Sequence, residues 1–207
     1  MSKARHSSRP QSRRSGRAAA FHEAGHAVVA LLVRIRFPGL KVRPLDESSG
    51  CCLFQSFLQA RTRRLVKIKA GRWNRNRLEN ELLFYKAGVA AEQRCAHRVS
   101  SSNIACARKD STDLATAALP QASPREIAAL SEYLTLRTGN LVDLPAVWSQ
   151  TAVLAKKLLK EKKLSYDQVQ ALLGPRFAQQ NDRIRISHLG VRPDKTKRRP
   201  DRATHAT

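Results

Sequence analysis

The residues best suited to chemistry are two histidines with a glutamate directly after the first, in the segment His22-Glu23-Ala24-Gly25-His26. On a helix, side chains four residues apart share one face, so both imidazoles can bind one metal ion. Zn²⁺ accepts neutral imidazole nitrogens at about 2.0–2.1 Å and lowers the pKa of a bound water from about 15.7 toward about 7. Glu23 can reach that water without binding the metal and can take its proton. The pattern predicts zinc-dependent peptide hydrolysis.

A catalytic zinc needs a third protein ligand and one open position. Spacing alone does not choose among the candidates, which are Asp46, Glu92, His97, Asp110 and Asp113. The alternative is that the two histidines are structural residues of an amphipathic helix. We favour the metal site because polar groups on an otherwise apolar helix surface are costly to bury without a partner.

The pair lies in a segment with apolar residues at helical spacing, for which Ser15 is a plausible N-cap and Phe37-Pro38-Gly39 the end. Residues 40–58 have the pattern of a strand and turn, and the basic residues 59–77 that of an exposed loop or a strand. Further helices are predicted over residues 78–96, 110–119, 124–137, 145–162 and 165–173. Ser123 and Glu126 form a predicted capping box. The predicted fold is mainly α (α+β), with a small strand or hairpin element beside the active-site helix.

Composition indicates one basic globular domain with flexible ends. The 207 residues include 39 Lys and Arg against 16 Asp and Glu, a formal net charge of +23. The longest apolar run, residues 27–33, is far shorter than the roughly 18–20 residues of a membrane span. We expect a disordered basic arm over residues 1–16, a peptidase domain over 17–175 and a largely disordered basic tail over 176–207.

The cysteines and the N-terminus indicate the compartment. Four cysteines without a C-x-x-C motif predict reduced thiols in a cytoplasmic protein. His22, Glu23 and His26 interrupt the apolar stretch after the basic start, which argues against a secretory signal. A transit peptide for an organelle stays an alternative, because residues 1–17 are rich in Arg and Ser and free of acids.

Four segments, taken in order along the chain, resemble the peptidase domain of the FtsH family of zinc proteases. They are residues 20–30 (AFHEAGHAVVA), residues 87–92 (AGVAAE, similar to G-G-R-x-A-E), residues 111–116 (STDLAT, similar to S-N-D-[LI]-x-x-A-T), and the pair 155–159 (AKKLL) and 164–169 (LSYDQV). Together they span roughly residues 18–174.

The resemblance implies that His22 and His26 bind zinc, that Glu23 is the general base and that Asp113 is the third ligand, with Asp110 as its rival. Glu92 is expected to orient a histidine by accepting its free N–H. Val89 and Ala87 depart from the family's Arg and first Gly, and Lys109-Asp110 replaces its usual Gly-Ala pair.

The resemblance also implies partners. FtsH proteases carry an AAA ATPase and membrane helices, whereas this sequence contains no G-x-x-x-x-G-K-[ST] motif and no predicted membrane span. We therefore expect a stand-alone peptidase domain acting on unfolded or flexible polypeptide, which pairs as an added strand with residues of the 40–57 region. A separate ATPase partner and hexameric self-association are plausible by family resemblance.

The alternative function is a basic binding protein on a peptidase-like scaffold. Residues 61–77, which include Trp73, and both tails could contact nucleic-acid phosphates or an acidic partner. No DNA- or RNA-binding motif accompanies the charge, so we favour the peptidase.

Overall fold

A computed structural model describes residues 9–42, 53–68, 73–97, 99 and 101–189. These residues form a mainly helical fold with a small antiparallel sheet, which confirms the predicted fold class. The elements are α1 (Arg9–Leu32), β1 (Gly39–Lys41), α2 (Leu53–Leu65), α3 (Arg75–Ala96), α4 (Ser101–Ala118), α5 (Pro124–Asp143), α6 (Pro145–Glu161), β2 (Lys163–Ser165) and α7 (Tyr166–His188).

Helix α1 lies at the centre of the core, between α3 and α6. Its contact with α3 is close because Gly25 has no side chain. A Cβ there would lie 2.5 Å from the Cβ of Ala91 and 2.7 Å from the carbonyl oxygen of Ala87. On the other side, the Phe21 ring stacks on Trp148 of α6 with the centroids 5.1 Å apart. Contacts on both sides explain why residues 23–30 of α1 are all buried.

The sheet joins two strands that are distant in sequence. Strand β1 pairs antiparallel with β2, with Leu40 opposite Leu164, and both leucines are buried. A strand at the start of residues 40–58 was predicted, and β1 agrees with it. Its partner strand lies between α6 and α7 rather than in a local hairpin. The pairing brings Leu40 and Leu164 together on the buried face of the sheet, which sequence periodicity alone does not predict. Residues 43–52, including the predicted turn, lie outside the described residues.

The strand and turn predicted over residues 40–58 are wrong at residues 53–58, because α2 covers residues 53–65. The loop or strand predicted over residues 59–77 is wrong at residues 59–65 for the same reason. Buried Leu58, Thr62 and Leu65 recur at helical spacing. The Thr62 hydroxyl donates to the Leu58 carbonyl at 3.0 Å, and the Tyr85 hydroxyl of α3 donates to the same carbonyl at 3.2 Å. Contacts with α4 and β1, together with the hydrogen bond from Tyr85 of α3, therefore favour a helix over the strand that the apolar residues indicated.

Several predicted helix ends also differ from the structure. Helix α1 begins at Arg9 rather than after Ser15, with Pro10 in the first turn, where its missing N–H leaves no bond unmade. Helix α4 is continuous from Ser101, α5 extends through Gly139 to Asp143, and α7 extends to His188. The segments predicted to be disordered are therefore partly helical, because α1 covers residues 9–16 of the arm and α7 covers residues 176–188 of the tail. Residues 1–8 and 190–207 lie outside the description.

Two local predictions are confirmed by the structure. The Ser123 hydroxyl accepts from the Glu126 N–H, and the Glu126 carboxylate accepts from the Ser123 N–H, so the capping box is present. Gly174, where the last helix was expected to end, has non-helical dihedral angles (φ 69°) and interrupts α7. Among the described residues Cys95 and Cys106 form no disulfide bond, and Cys51 and Cys52 lie outside the description. None of the helices in the described ranges has the length and apolarity that a bilayer crossing requires.

Candidate metal centre

Helix α1 brings the two imidazoles together on the face that packs against α3. The Nε2 atoms of His22 and His26 lie 3.2 Å apart, as their separation by one helical turn predicted. His26 is buried, with 2% of its surface exposed, and His22 is partly buried. The pair therefore presents two ring nitrogens to one small region between the helices.

The other ring nitrogens identify the tautomers. His26 Nδ1 lies 2.8 Å from the carbonyl oxygen of Phe84, and His22 Nδ1 lies 2.8 Å from Oε2 of Glu92. A carbonyl and an ionised carboxylate can only accept, so each Nδ1 carries the hydrogen and donates it. With Nδ1 as the donor, a neutral ring has its lone pair on Nε2, and the two Nε2 atoms lie within hydrogen-bond distance of each other, 3.2 Å apart. A neutral imidazole binds a metal cation through that lone pair.

Burial keeps His26 in the form that binds metals. Removal from water, with a smaller effect of neighbouring His22, lowers the pKa of His26 to about 3, while the hydrogen bond to Phe84 opposes the shift. His26 is therefore neutral at physiological pH, and a metal does not have to displace a proton from it.

Glu92 orients His22 as the sequence predicted. Its carboxylate is 5% exposed, and Oε2 also accepts from Nδ2 of Asn103 on α4 at 2.8 Å. Two donors thus fix the carboxylate against the outer nitrogen of the ring. Glu92 acts through Nδ1, so it fits the role of a positioning residue better than that of a metal ligand.

Gly88 of α3 makes the region between the imidazoles possible. A Cβ on this residue would lie 2.3 Å from Nε2 of His26 and 2.6 Å from Nε2 of His22. From sequence alone, a glycine inside a helix indicates only that close packing is a reason for it. Its position four residues before Glu92, on the same helix face, is the signal that could have placed it opposite the histidines.

The general-base candidate Glu23 is completely buried, with 0% of its surface exposed. It follows His22 directly on α1, in a segment where residues 23–30 are all buried. A carboxylate in such a place is shielded from bulk water, which strengthens its interaction with a proton or a cation.

The third ligand is not brought to the pair in this structure. Among the described residues, no three His, Cys, Asp or Glu side chains form a group that could hold a metal. The Asp113 side chain is 44% exposed and accepts from Nζ of Lys109 at 2.6 Å. Asp110 is 9% exposed, and burial raises its pKa. His97 caps α3, and Asp46 lies outside the described ranges. Asp113 as a ligand stays a prediction.

The basic segment contributes partly to internal ion pairs. Arg61 of α2 donates two hydrogen bonds to the buried Glu81, at 2.8 and 2.5 Å, and Arg75 pairs with Glu79 at 2.7 Å. The Arg77 guanidinium lies 5.0 Å from the centre of the Trp73 ring. Part of the charge that suggested nucleic-acid binding therefore stabilises the contact between helices instead.

The comparisons with known proteins add no assignment: the sequence matches neither a model of a protein family nor a curated protein.

Proposed function

We propose that this protein is a zinc-dependent metalloendopeptidase resembling the peptidase domain of the FtsH family. The observation that carries the proposal is the approach of the two imidazole Nε2 atoms to within 3.2 Å of each other, opposite a glycine. Both imidazoles are oriented through Nδ1, which is the usual arrangement of histidines that bind a metal.

The two imidazoles, as two of the donors that a catalytic zinc needs, fit zinc in chemistry and spacing. Two nitrogens bound to one tetrahedral zinc at about 2.0–2.1 Å lie roughly 3.3 Å apart, close to the separation found here. Neutral imidazole is a preferred zinc ligand, and the lowered pKa of His26 keeps that ring neutral. Asp113 is proposed to complete the set from α4, which requires it to leave Lys109.

The residues of the chain then have separate tasks. When bound, zinc supplies an activated water and polarises the substrate carbonyl. His22 and His26 hold the ion, and Glu92 and the Phe84 carbonyl keep the two rings in the required tautomer. The Glu23 carboxylate takes the proton of the attacking water and donates it to the leaving amine. Substrates are unfolded or flexible polypeptides, and self-association and a separate ATPase remain part of the proposal.

A metal titration combined with a cleavage assay tests this function. The purified full chain is expected to bind about one zinc per molecule and to cleave casein. A chelator should abolish cleavage, and added zinc should restore it, because the water is activated only by the metal. A chain that takes up no zinc, or cleavage that a chelator leaves unchanged, would contradict the proposal.

The third ligand can be identified with two matched aspartate variants on α4. Asp113→Ala is expected to lower zinc affinity by more than about 100-fold, because loss of a ligand should exceed the 10–100-fold effect of an outer partner. Asp110→Ala should leave zinc affinity within a few-fold of the parent. Competition with a chromogenic chelator measures both affinities. If only Asp110→Ala weakens zinc, the ligand is Asp110, and if neither does, both assignments are wrong.

A further inference from the structure

A second site is suggested by a cavity of about 950 Å³ among α3, α4 and α5. Lys86, Ala90, Gln93 and His97 line it from α3, and their spacing places them on one helix face. Phe84, Gly88 and Glu92, which contact the histidines, belong to the opposite face. The cavity is therefore separated from the metal centre by the body of α3.

Lys86 is the most unusual residue of this cavity. It is 8% exposed, and its Nζ donates to Oγ of Ser131 on α5 at 3.0 Å. In the described part of the chain its ammonium forms no ion pair with a carboxylate. Lysines are almost never so buried without an opposite charge. Burial, and then nearby Arg108, lower the pKa of Lys86 to about 8.

The charged residues that line the cavity make the region around Lys86 positively charged. Arg108 of α4 adds a second cation to the wall. Arg94 is already engaged, because it pairs with Asp143 at 2.7 Å and lies over Trp148 at 4.4 Å. Glu132 and His97 also face the cavity, and they are exposed, as is Arg108. The least solvated part of the cavity thus carries the ammonium of Lys86 and the hydroxyl of Ser131.

The remaining wall is largely apolar. It consists of small and branched side chains, namely Val89, Ala90, Ile104, Ala107 and Ala128. Ile104 is 42% exposed, although it is a large aliphatic residue. A ligand that has a charged head and an apolar body would satisfy both parts of the cavity, as is usual for small-molecule sites.

We propose that this cavity binds a small amphiphilic anion, whose carboxylate or phosphate head contacts Lys86, Ser131 and Arg108 and whose apolar body covers Ile104. The head would supply the counter-charge that the buried ammonium lacks, and the body would remove the isoleucine from water. This site does not depend on the proposed peptidase activity.

Isothermal titration calorimetry of the full chain with three probes tests the site. Octanoate and octyl phosphate share the body and differ in the anionic head, whereas octanamide has the same body and a neutral head. At least one anion is expected to bind with a stoichiometry near one, and octanamide at least ten-fold more weakly. A preference between the anions shows whether the natural head is a carboxylate or a phosphate. If neither anion binds, or the amide binds equally, the proposal is wrong.

Variants connect binding to the cavity. Lys86→Met should weaken the bound anion by roughly ten- to hundred-fold, the usual range for a hydrogen bond to a charged group. Ser131→Ala and Arg108→Gln should each weaken it less, and they test the site independently if Lys86→Met does not fold. Lys156→Met, at an exposed position of α6, is the matched control and should change nothing. Unchanged affinity in all three cavity variants would overturn the assignment.

A proton measurement gives a second readout. Because the pKa of Lys86 is about 8, an anion bound beside it at pH 8 should draw a proton onto the amine. Titrations in two buffers with different heats of ionisation measure this uptake, which should vanish in Lys86→Met. Performed in the presence of a chelator, the experiment is independent of zinc, so its failure would leave the proposed peptidase untouched.

Discussion

Gly88→Ala is expected to weaken the proposed zinc binding strongly and to reduce the cleavage that depends on it. The added Cβ would lie 2.3 and 2.6 Å from the two Nε2 atoms, far inside van der Waals contact, so the imidazoles or the helices must move apart. Displacement of both proposed ligands should lower zinc affinity by more than roughly 100-fold, since mispositioning one ligand through its outer partner already costs about 10–100-fold. Chelator competition measures the affinity.

Gly139→Ala is the matched control for this change. It lies inside α5, and a Cβ there would have no heavy atom within 4 Å. Alanine at this position should stabilise the helix by about 0.5–1 kcal/mol and leave zinc binding unchanged. Thermal unfolding of both variants in chelator separates a general loss of stability from a specific loss of the metal. Full zinc affinity in Gly88→Ala would show that the ion, if bound, does not sit between these nitrogens.

Glu23→Gln is expected to lower the rate of peptide cleavage by about 10²–10⁴-fold while zinc remains bound. The amide has nearly the shape of the carboxylate, so the buried position stays filled, but it cannot take a proton from water. Initial rates of casein cleavage, together with zinc content, measure the two effects separately. Retained metal with lost activity is the expected combination.

Glu161→Gln is the control for this substitution, because it removes the same charge at an exposed position of α6. Its cleavage rate should match the parent within experimental error. If Glu23→Gln kept its activity, Glu23 would not be the general base. If it lost zinc together with activity, the carboxylate would act on the ion rather than on water.

The close contact of α1 with α3 connects these predictions. Gly25 and Gly88, one on each helix, let the two backbones approach, and this approach places the Phe84 carbonyl and Glu92 against the imidazoles. Larger side chains at either glycine would separate the rings from the groups that orient them. The same pair of helices thus determines both the core and the geometry of the candidate site.

Local sequence was enough to predict the features that depend on one helical turn. The shared face of His22 and His26, the capping box of Ser123 and Glu126 and the break at Gly174 all follow from side-chain periodicity and backbone preference over a few residues. The family resemblance added the positioning role of Glu92, which its bond to His22 supports.

Tertiary structure decided the features that depend on distant partners. Residues 53–65 form a helix that contacts α4 and β1 and is hydrogen-bonded at Leu58 and Thr62 to Tyr85 of α3. Strand β1 pairs with β2, which lies more than 100 residues further along the chain. The hydrogen bond from His26 to the Phe84 carbonyl, the close approach of the imidazoles to Gly88 and the cavity around Lys86 form only when α3 packs against the other helices. Sequence patterns indicate which residues of a segment can be buried. Which groups then surround a buried side chain depends on packing across the whole core.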